Sequence, residues 1–201
     1  CLEQDGYEAD DLIATYARLA RQAGEEVVIV SSDKDLMQLV RNGVRMWDPL
    51  KQREIGREAV MERFGVGPEL VRDALALIGD ASDNVPGVPG IGPKTAAQLL
   101  QEHGSLEGLL ANLAAIRQPK RREALEQNAE RARLAYRLVG LDDRAPLPIA
   151  LDDLARKAPD PQKLLAFFQA NGFRSLVARV EQVAEAAADA RTRADGAGGR
   201  P

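Results

Sequence analysis

Four consecutive apolar residues, Val27–Val30, constrain the fold more than any other segment of this sequence. Short runs of β-branched residues are typical of strands that are buried on both faces of a parallel sheet. A helical pattern of apolar residues precedes the run at residues 8–23, and Gly24 closes it. A further helical pattern begins at Leu36, and residues 44–47 suggest a second strand. The order helix, strand, helix, strand predicts an α/β layer arrangement with a partial parallel sheet.

Beyond about residue 57 the apolar spacing is helical throughout. Helices are predicted at residues 57–64, 68–78, 94–103, 106–113, 121–139, 162–170 and from 175 to about 190. This pattern divides the chain into three parts. They are an α/β part at residues 1–56, a helical region at 57–180, and a low-complexity tail or linker at 181–201.

Composition narrows the functional classes. No apolar run approaches the roughly 20 residues that a membrane helix needs, so we expect no membrane role. The single cysteine, Cys1, excludes an intrachain disulfide and indicates a cytosolic setting. The net charge of −4 is unlike that of a plain basic nucleic-acid binder, and 4% aromatic residues give little base stacking. Any nucleic acid would therefore be held by its backbone. Because the chain begins with Cys and not Met, we expect it to be truncated at its N-terminus.

Carboxylates gather in three short segments, each at the boundary of a predicted element. The candidate metal-binding and catalytic residues are Glu8, Asp10 and Asp11, then Asp33 and Asp35, then Asp80 and Asp83. Each segment alone has a structural explanation. Acidic residues suit a first helical turn, Asp suits an N-cap, and Asp-Ser-Asn sequences form capping turns.

Together the three segments favour a metal site. Several carboxylates in one pocket disfavour their mutual ionisation unless a cation is present. Oxygen ligands without a nearby His or Cys select Mg²⁺ or Mn²⁺, and the lone His103 lies far along the chain. Two such ions clamp the attacking and leaving oxygens of an in-line phosphodiester displacement. No nucleophilic Ser, Cys or His constellation competes for the chemistry.

A glycine-rich hairpin follows the third acidic segment and opens the helix predicted from residue 94. Its glycines let backbone N–H groups approach a phosphate, and the helix start adds its dipole, a cation and a hydroxyl. The candidate DNA-binding residues are Gly87, Gly90, Ile91, Gly92, Lys94 and Thr95. An ordinary Gly/Pro turn is the alternative interpretation. Basic residues at 117–133 extend this footprint or form a solvated helix face.

Several of these segments resemble the 5′-nuclease superfamily of flap endonuclease type, as found in the 5′→3′ exonuclease domain of bacterial DNA polymerase I. The resemblance rests on residues 6–11, on the acidic pair at 32–35, and on the long segment 79–92. It extends through residues 125–138 and 167–180. It implies a PIN-like 5′-nuclease fold followed by a helix–three-turn–helix DNA-binding region.

The resemblance also implies roles for the candidate residues. Glu8, Asp10 and Asp11 would serve the more tightly held ion, and the other four aspartates would serve the second. A K⁺ ion would bind backbone carbonyls around residues 90–92. The implied activity is 5′→3′ exonuclease or flap endonuclease cleavage of DNA with a 5′ end or 5′ flap. The implied protein is a monomer in the bacterial cytoplasm at the nucleoid, with a possible fused polymerase domain.

One departure from the family pattern lowers the expected activity. The family begins with a strand that carries a metal-binding Asp, followed by a basic gateway helix, and neither precedes Cys1. A non-catalytic DNA-binding module is therefore the alternative function. An α/β phosphatase-like domain is a third interpretation, but it explains neither the hairpin nor the helical second half.

Overall fold

A three-stranded sheet forms the α/β part of the computed structural model, which describes residues 1–183. β1 (Val27–Val30) pairs in parallel with β2 (Val44–Asp48), and Val27 lies opposite Val44. β2 pairs antiparallel with β3 (Arg53–Ile55), and Met46 lies opposite Ile55. The predicted α/β class and the parallel pair are confirmed. The antiparallel β3 was not predicted from the sequence.

The prediction that β1 is buried on both faces is wrong. Ile29 is buried and joins Ala14 and Ala17 in the core, but Val28 and Val30 are 45% and 65% exposed. Successive side chains of a strand point to opposite faces. Among the described residues, only the face that carries Ile29 is well covered.

Helix α1 (Ala9–Gln22) packs on the sheet and is tied to the segment at residues 142–145. The Thr15 hydroxyl donates to the carbonyl of Asp142 and accepts from the backbone N–H of Ala145. The Arg18 guanidinium donates to the Asp143 carbonyl at 2.7 Å. These bonds join two parts of the chain that are more than 120 residues apart in sequence.

The helical part follows β3. Its α-helices are α2 (Arg57–Phe64), α3 (Val71–Ile78), α4 (Pro93–His103), α5 (Leu106–Ala111), α6 (Pro119–Gln127) and α7 (Ala129–Leu138). Short 3₁₀ turns occur at Asp35–Leu39, Pro68–Leu70, Leu113–Ala115 and Leu151–Leu154. The core of this part includes Leu77, Leu100 and Leu109, all of which are fully buried.

Two predicted helix boundaries are wrong. The single helix predicted at 121–139 is broken at Asn128, whose backbone leaves the helical region and whose side-chain amide donates to the Ala124 carbonyl. The helix predicted at 106–113 ends at Ala111 and continues as a 3₁₀ turn. Local side-chain bonding of Asn to the backbone competes with helix continuation.

The chain divides into a unit at Cys1–Asp153 and a second unit that begins at Leu154. In the second unit Asp160 caps α8 (Pro161–Ala170), and residues 174–183 are helical. The predicted helix end near residue 190 and most of the predicted tail lie outside the described residues. Within residues 1–183, no helix has the length and hydropathy of a membrane span.

Candidate metal centre

The carboxyl end of β1 leads directly into the second acidic segment. The Ser31 hydroxyl accepts from the backbone N–H of Asp33, and Asp33 Oδ1 accepts from the backbone N–H of Asp35 at 2.9 Å. This tight turn opens the 3₁₀ helix at Asp35–Leu39. The predicted position after the strand is confirmed. The N-cap of this 3₁₀ helix is Lys34 and no side chain caps it, so the alternative of an N-cap at Asp33 or Asp35 is wrong.

The third acidic segment is folded by a backbone bridge. Asp80 and Val85 exchange two backbone hydrogen bonds, of 2.9 and 2.7 Å. Asp80 Oδ1 accepts from both the backbone N–H and the hydroxyl of Ser82. Asn84 has a positive φ of 54°, which closes the turn between them. The loop thus holds Asp80 in place and leaves Asp83 exposed.

Three aspartates from these two segments converge. Asp35, Asp80 and Asp83 each offer a carboxylate oxygen, and these oxygens lie within 4.8 Å of one another. Asp80 is 7% exposed. Asp80 Oδ2 and Asp35 Oδ1 are buried, and within the described part of the chain they have no partner other than the ammonium of Lys34. Buried carboxylate oxygens with so few donors suit a hard divalent cation, so the residues fit Mg²⁺ or Mn²⁺.

The pKa values of the converging carboxyls reflect their crowding. Burial, reinforced by Asp33, Asp80 and Asp83, raises the pKa of Asp35 to about 6 against the opposing effect of Lys34. Burial also acts to raise the pKa of Asp80. The ion pair with Lys34 and the bonds from Ser82 outweigh it and hold that pKa well below its usual range. Without metal, Asp35 therefore takes up a proton as the pH falls through about 6.

The first acidic segment contains Asp10, whose pKa is affected by carboxylates of the other two segments. Burial raises the pKa of Asp10, and the charges of Asp33, Glu8, Asp11 and Asp83 raise it further. Carboxylates of all three segments therefore influence Asp10. We call Asp10, Asp33, Asp35, Asp80 and Asp83 the acid cluster.

Glu8 and Asp11 stand at the edge of this arrangement. Glu8 is exposed at the N-cap of α1. Asp11 Oδ2 accepts from the backbone N–H of Glu8, and Asp11 Oδ1 accepts from the backbone N–H of Asp142. These bonds give Asp11 a structural role. Its assignment as a metal ligand stays a prediction, as do the other assignments in the acid cluster.

The predicted DNA-binding residues divide into two groups. A Cβ on Gly87 would lie 2.2 Å from the Ile78 carbonyl oxygen, so this glycine is required by packing. Ile91 is buried, which leaves only its backbone for a ligand. A Cβ on Gly90 or Gly92 would meet no atom within 4 Å. We call residues 88–95 the hairpin loop. At its end α4 begins at Pro93, which is followed by exposed Lys94 and half-buried Thr95.

Comparison with known proteins decides the family. Two adjoining family models match: the 5′-3′ exonuclease N-terminal resolvase-like domain at residues 1–65, and the 5′-3′ exonuclease C-terminal SAM fold at residues 66–162. The chain belongs to the 5′-3′ exonuclease family. The first two acidic segments fall in the N-terminal domain. The C-terminal domain contains Asp80, Asp83 and the hairpin loop.

Relatives within the family are longer than this chain. It is 49% identical over 190 residues to DNA polymerase I of Rhizobium leguminosarum, covering 94% of this chain and 19% of that protein. It is 40% identical to a 5′-3′ exonuclease of Aquifex aeolicus, covering 90% of this chain and 62% of that protein. A structure of T5 5′-exonuclease with bound zinc has 28% identity and a TM-score of 0.64, covering 68% of this chain and 51% of that one.

The basic residues of this chain differ in their contacts. Arg133 bonds Glu107 and Glu130, and Arg122 lies 3.9 Å from Glu126, which matches a solvated helix face. Arg131 instead lines a cleft beside Asp80, Asn84 and Gly87. The sequence pointed to Arg131 and Arg133 equally. The ion pairs of Arg133 separate the two.

Proposed function

We propose that this chain is the metal-dependent 5′-nuclease part of a DNA polymerase I-like protein. It cleaves DNA phosphodiester bonds at a 5′ end or a 5′ flap, as a monomer in the bacterial cytoplasm at the nucleoid. The observation that carries the proposal is the convergence of Asp35, Asp80 and Asp83. Two of them carry buried oxygens whose only partner among the described residues is Lys34. Family membership supports the same conclusion.

The proposal gives the acid cluster two tasks. Asp35, Asp80 and Asp83 hold one Mg²⁺ or Mn²⁺ ion, while Asp10 and Asp33, with Glu8 near them, hold a second. Bound divalent ions would stabilise the attacking and leaving oxygens of an in-line displacement at phosphorus. The chain's own contribution is to fix the carboxylate positions through the Asp33 turn and the Asp80–Val85 bridge.

In this proposal the hairpin loop binds the DNA backbone. Open Gly90 and Gly92, the start of α4 and Lys94 present backbone amides and a cation to phosphate. Such contacts set the position of the duplex without reading its sequence. A K⁺ ion at the carbonyls of residues 90–92 is part of the proposal and would bridge the loop to phosphate.

Cleavage of a 5′-labelled flapped duplex in Mg²⁺ tests the proposal. The chain should release 5′ fragments, and Asp83→Asn should lower the rate on the order of 10²-fold because a misplaced ion is costly. Asp152→Asn, a substitution of an exposed aspartate, serves as the matched control and should cleave normally. Binding of the flap without metal-dependent cleavage would support the DNA-binding module and contradict a nuclease.

A further inference from the structure

A basic side chain lies inside the acid cluster. Lys34 stands between Asp33 and Asp35 in sequence, and its ammonium forms an ion pair with Asp80 Oδ2. The same ammonium lies 4.0 Å from Asp35 Oδ1. Apart from Lys34, these two buried oxygens have no partner among the described residues. Lys34 therefore provides the positive charge at the least satisfied oxygens of the cluster.

The position of Lys34 has a clear electrostatic reason. Three carboxylates with oxygens within 4.8 Å repel one another unless a cation or a proton is present. In residues 1–183, Lys34 is the basic side chain that forms ion pairs with Asp35 and Asp80. Its side chain is 27% exposed, so it reaches the cluster from the rim and has solvent behind it.

An ammonium and a divalent ion are incompatible neighbours at these oxygens. Mg²⁺ binds carboxylate oxygens at about 2.0–2.1 Å and demands near-octahedral geometry. The Lys34 ammonium occupies the approach to Asp80 Oδ2 and would repel an ion there. A metal can bind Asp80 through that oxygen only after the lysine moves away.

We infer that Lys34 is an internal counter-cation, which offsets part of the negative charge of the acid cluster when metal is absent and is displaced when a divalent ion binds. The inference rests on the proposed metal site and adds a residue that competes with the metal. Lys34 acts as a positioning residue. It keeps Asp35 and Asp80 together in the metal-free protein, and it sets the divalent-ion concentration at which the site fills.

Lysine acylation followed by mass spectrometry measures the displacement directly in the unaltered chain. Without metal, the paired Lys34 amine should react slowly with an N-hydroxysuccinimide ester. Saturating Mn²⁺ should raise its reactivity several-fold, while the exposed Lys51 and Lys120 stay constant as internal controls. Unchanged or slower acylation of Lys34 in Mn²⁺ would overturn the displacement.

The Lys34→Met variant provides a second test by calorimetric titration with Mn²⁺. It should bind Mn²⁺ about tenfold more tightly than wild type, because a competing state lowers apparent affinity by the fraction that is binding-competent. In EDTA its Tm should fall by several degrees. Lys51→Met, which removes one charge at an exposed position, should change neither quantity.

The outcomes separate this inference from the proposed function. If wild type and Lys34→Met bind Mn²⁺ equally well, the metal site stands and the counter-cation inference fails. If neither protein binds Mn²⁺, both fail. If only Lys34→Met binds, the inference holds, and the wild-type chain keeps its site closed under those conditions. Unchanged stability of Lys34→Met in EDTA would also contradict the inference.

Discussion

The acid cluster and the hairpin loop adjoin in sequence at Asp80 and Asp83, yet they are built in opposite ways. The cluster depends on side chains that repel each other: Asp35 has a raised pKa, and the buried Oδ2 of Asp80 has Lys34 as its only partner among the described residues. The hairpin loop depends on backbone geometry, in which Ile91 donates to the Val88 carbonyl and Ala96 donates to the Gly92 carbonyl. Under the proposed function, the cation site is crowded by its own carboxylates, whereas the backbone of the phosphate site is already formed before its ligand arrives.

The strongest test of this contrast compares two glycines. Gly87→Ala should destabilise the protein by about 3 kcal/mol, because its Cβ would collide with the Ile78 carbonyl oxygen at 2.2 Å. Gly92→Ala has open space and should cost less than about 1 kcal/mol, as expected for an N-cap change. Urea unfolding measures both. Equal losses of unfolding free energy would show that Gly87 is not required by packing.

The crowding of carboxylates in the acid cluster should make the stability of the metal-free protein depend on pH. The pKa of Asp35 in the folded chain, about 6, lies above its ordinary value of 3.8. Asp35 therefore favours folding most at low pH and loses that contribution as the pH rises through about 6. Asp80, with a lowered pKa, acts in the opposite sense and only below its ordinary value.

Asp35→Asn isolates this effect in EDTA. Relative to wild type, the variant should gain about 1–3 kcal/mol of stability between roughly pH 4.5 and pH 7.5, with partial exposure reducing the figure. Chemical unfolding at several pH values gives the difference. A difference that stays constant with pH would mean that Asp35 is not crowded by its neighbours.

The hairpin loop should respond to charge in a simpler way. Lys94→Ala should weaken binding to unrelated duplexes by a similar factor, about 3- to 10-fold, and reduce the salt slope by about one. Lys51→Ala, at an exposed position in the turn between β2 and β3, is the control. Fluorescence anisotropy at several salt concentrations measures both. A marked change in sequence preference would indicate base readout instead.

The smallest expected effect on DNA binding comes from a residue between the acid cluster and the hairpin loop. Arg131 lines the cleft that joins Asp80 to Gly87, so Arg131→Ala should weaken DNA binding about 2- to 3-fold. Arg137→Ala, an exposed arginine on the same helix, should leave binding unchanged. Equal effects of the two substitutions would assign Arg131 to general surface charge.

Local signals in the sequence predicted much of the fold. The Val27–Val30 run and the turn at residues 88–92 are short, strongly biased segments, and β1 and the start of α4 appear where they indicated. β3 was missed because Arg53, Glu54 and Ile55 carry no alternating pattern, and their strand exists through pairing with β2. The break at Asn128 was missed because helical apolar spacing continues across it.

The site was predictable in kind, but its contacts were not. Carboxylates at element boundaries indicated a cation site, because that inference needs only residue type and position. The bond from the Asp142 backbone to Asp11 and the ion pair of Lys34 with Asp80 join residues far apart in sequence. The packing of Gly87 against Ile78 depends on how the loop between them folds. Spacing alone contains no information on those contacts.

The most direct test of the central claim is a crystal structure of the chain grown with Mn²⁺, with anomalous diffraction used to locate the ion. The account predicts a peak coordinated by Asp35, Asp80 and Asp83, with the Lys34 ammonium withdrawn from Asp80. A Mn²⁺-saturated crystal with no peak at these carboxylates, and with Lys34 still paired to Asp80, would contradict it.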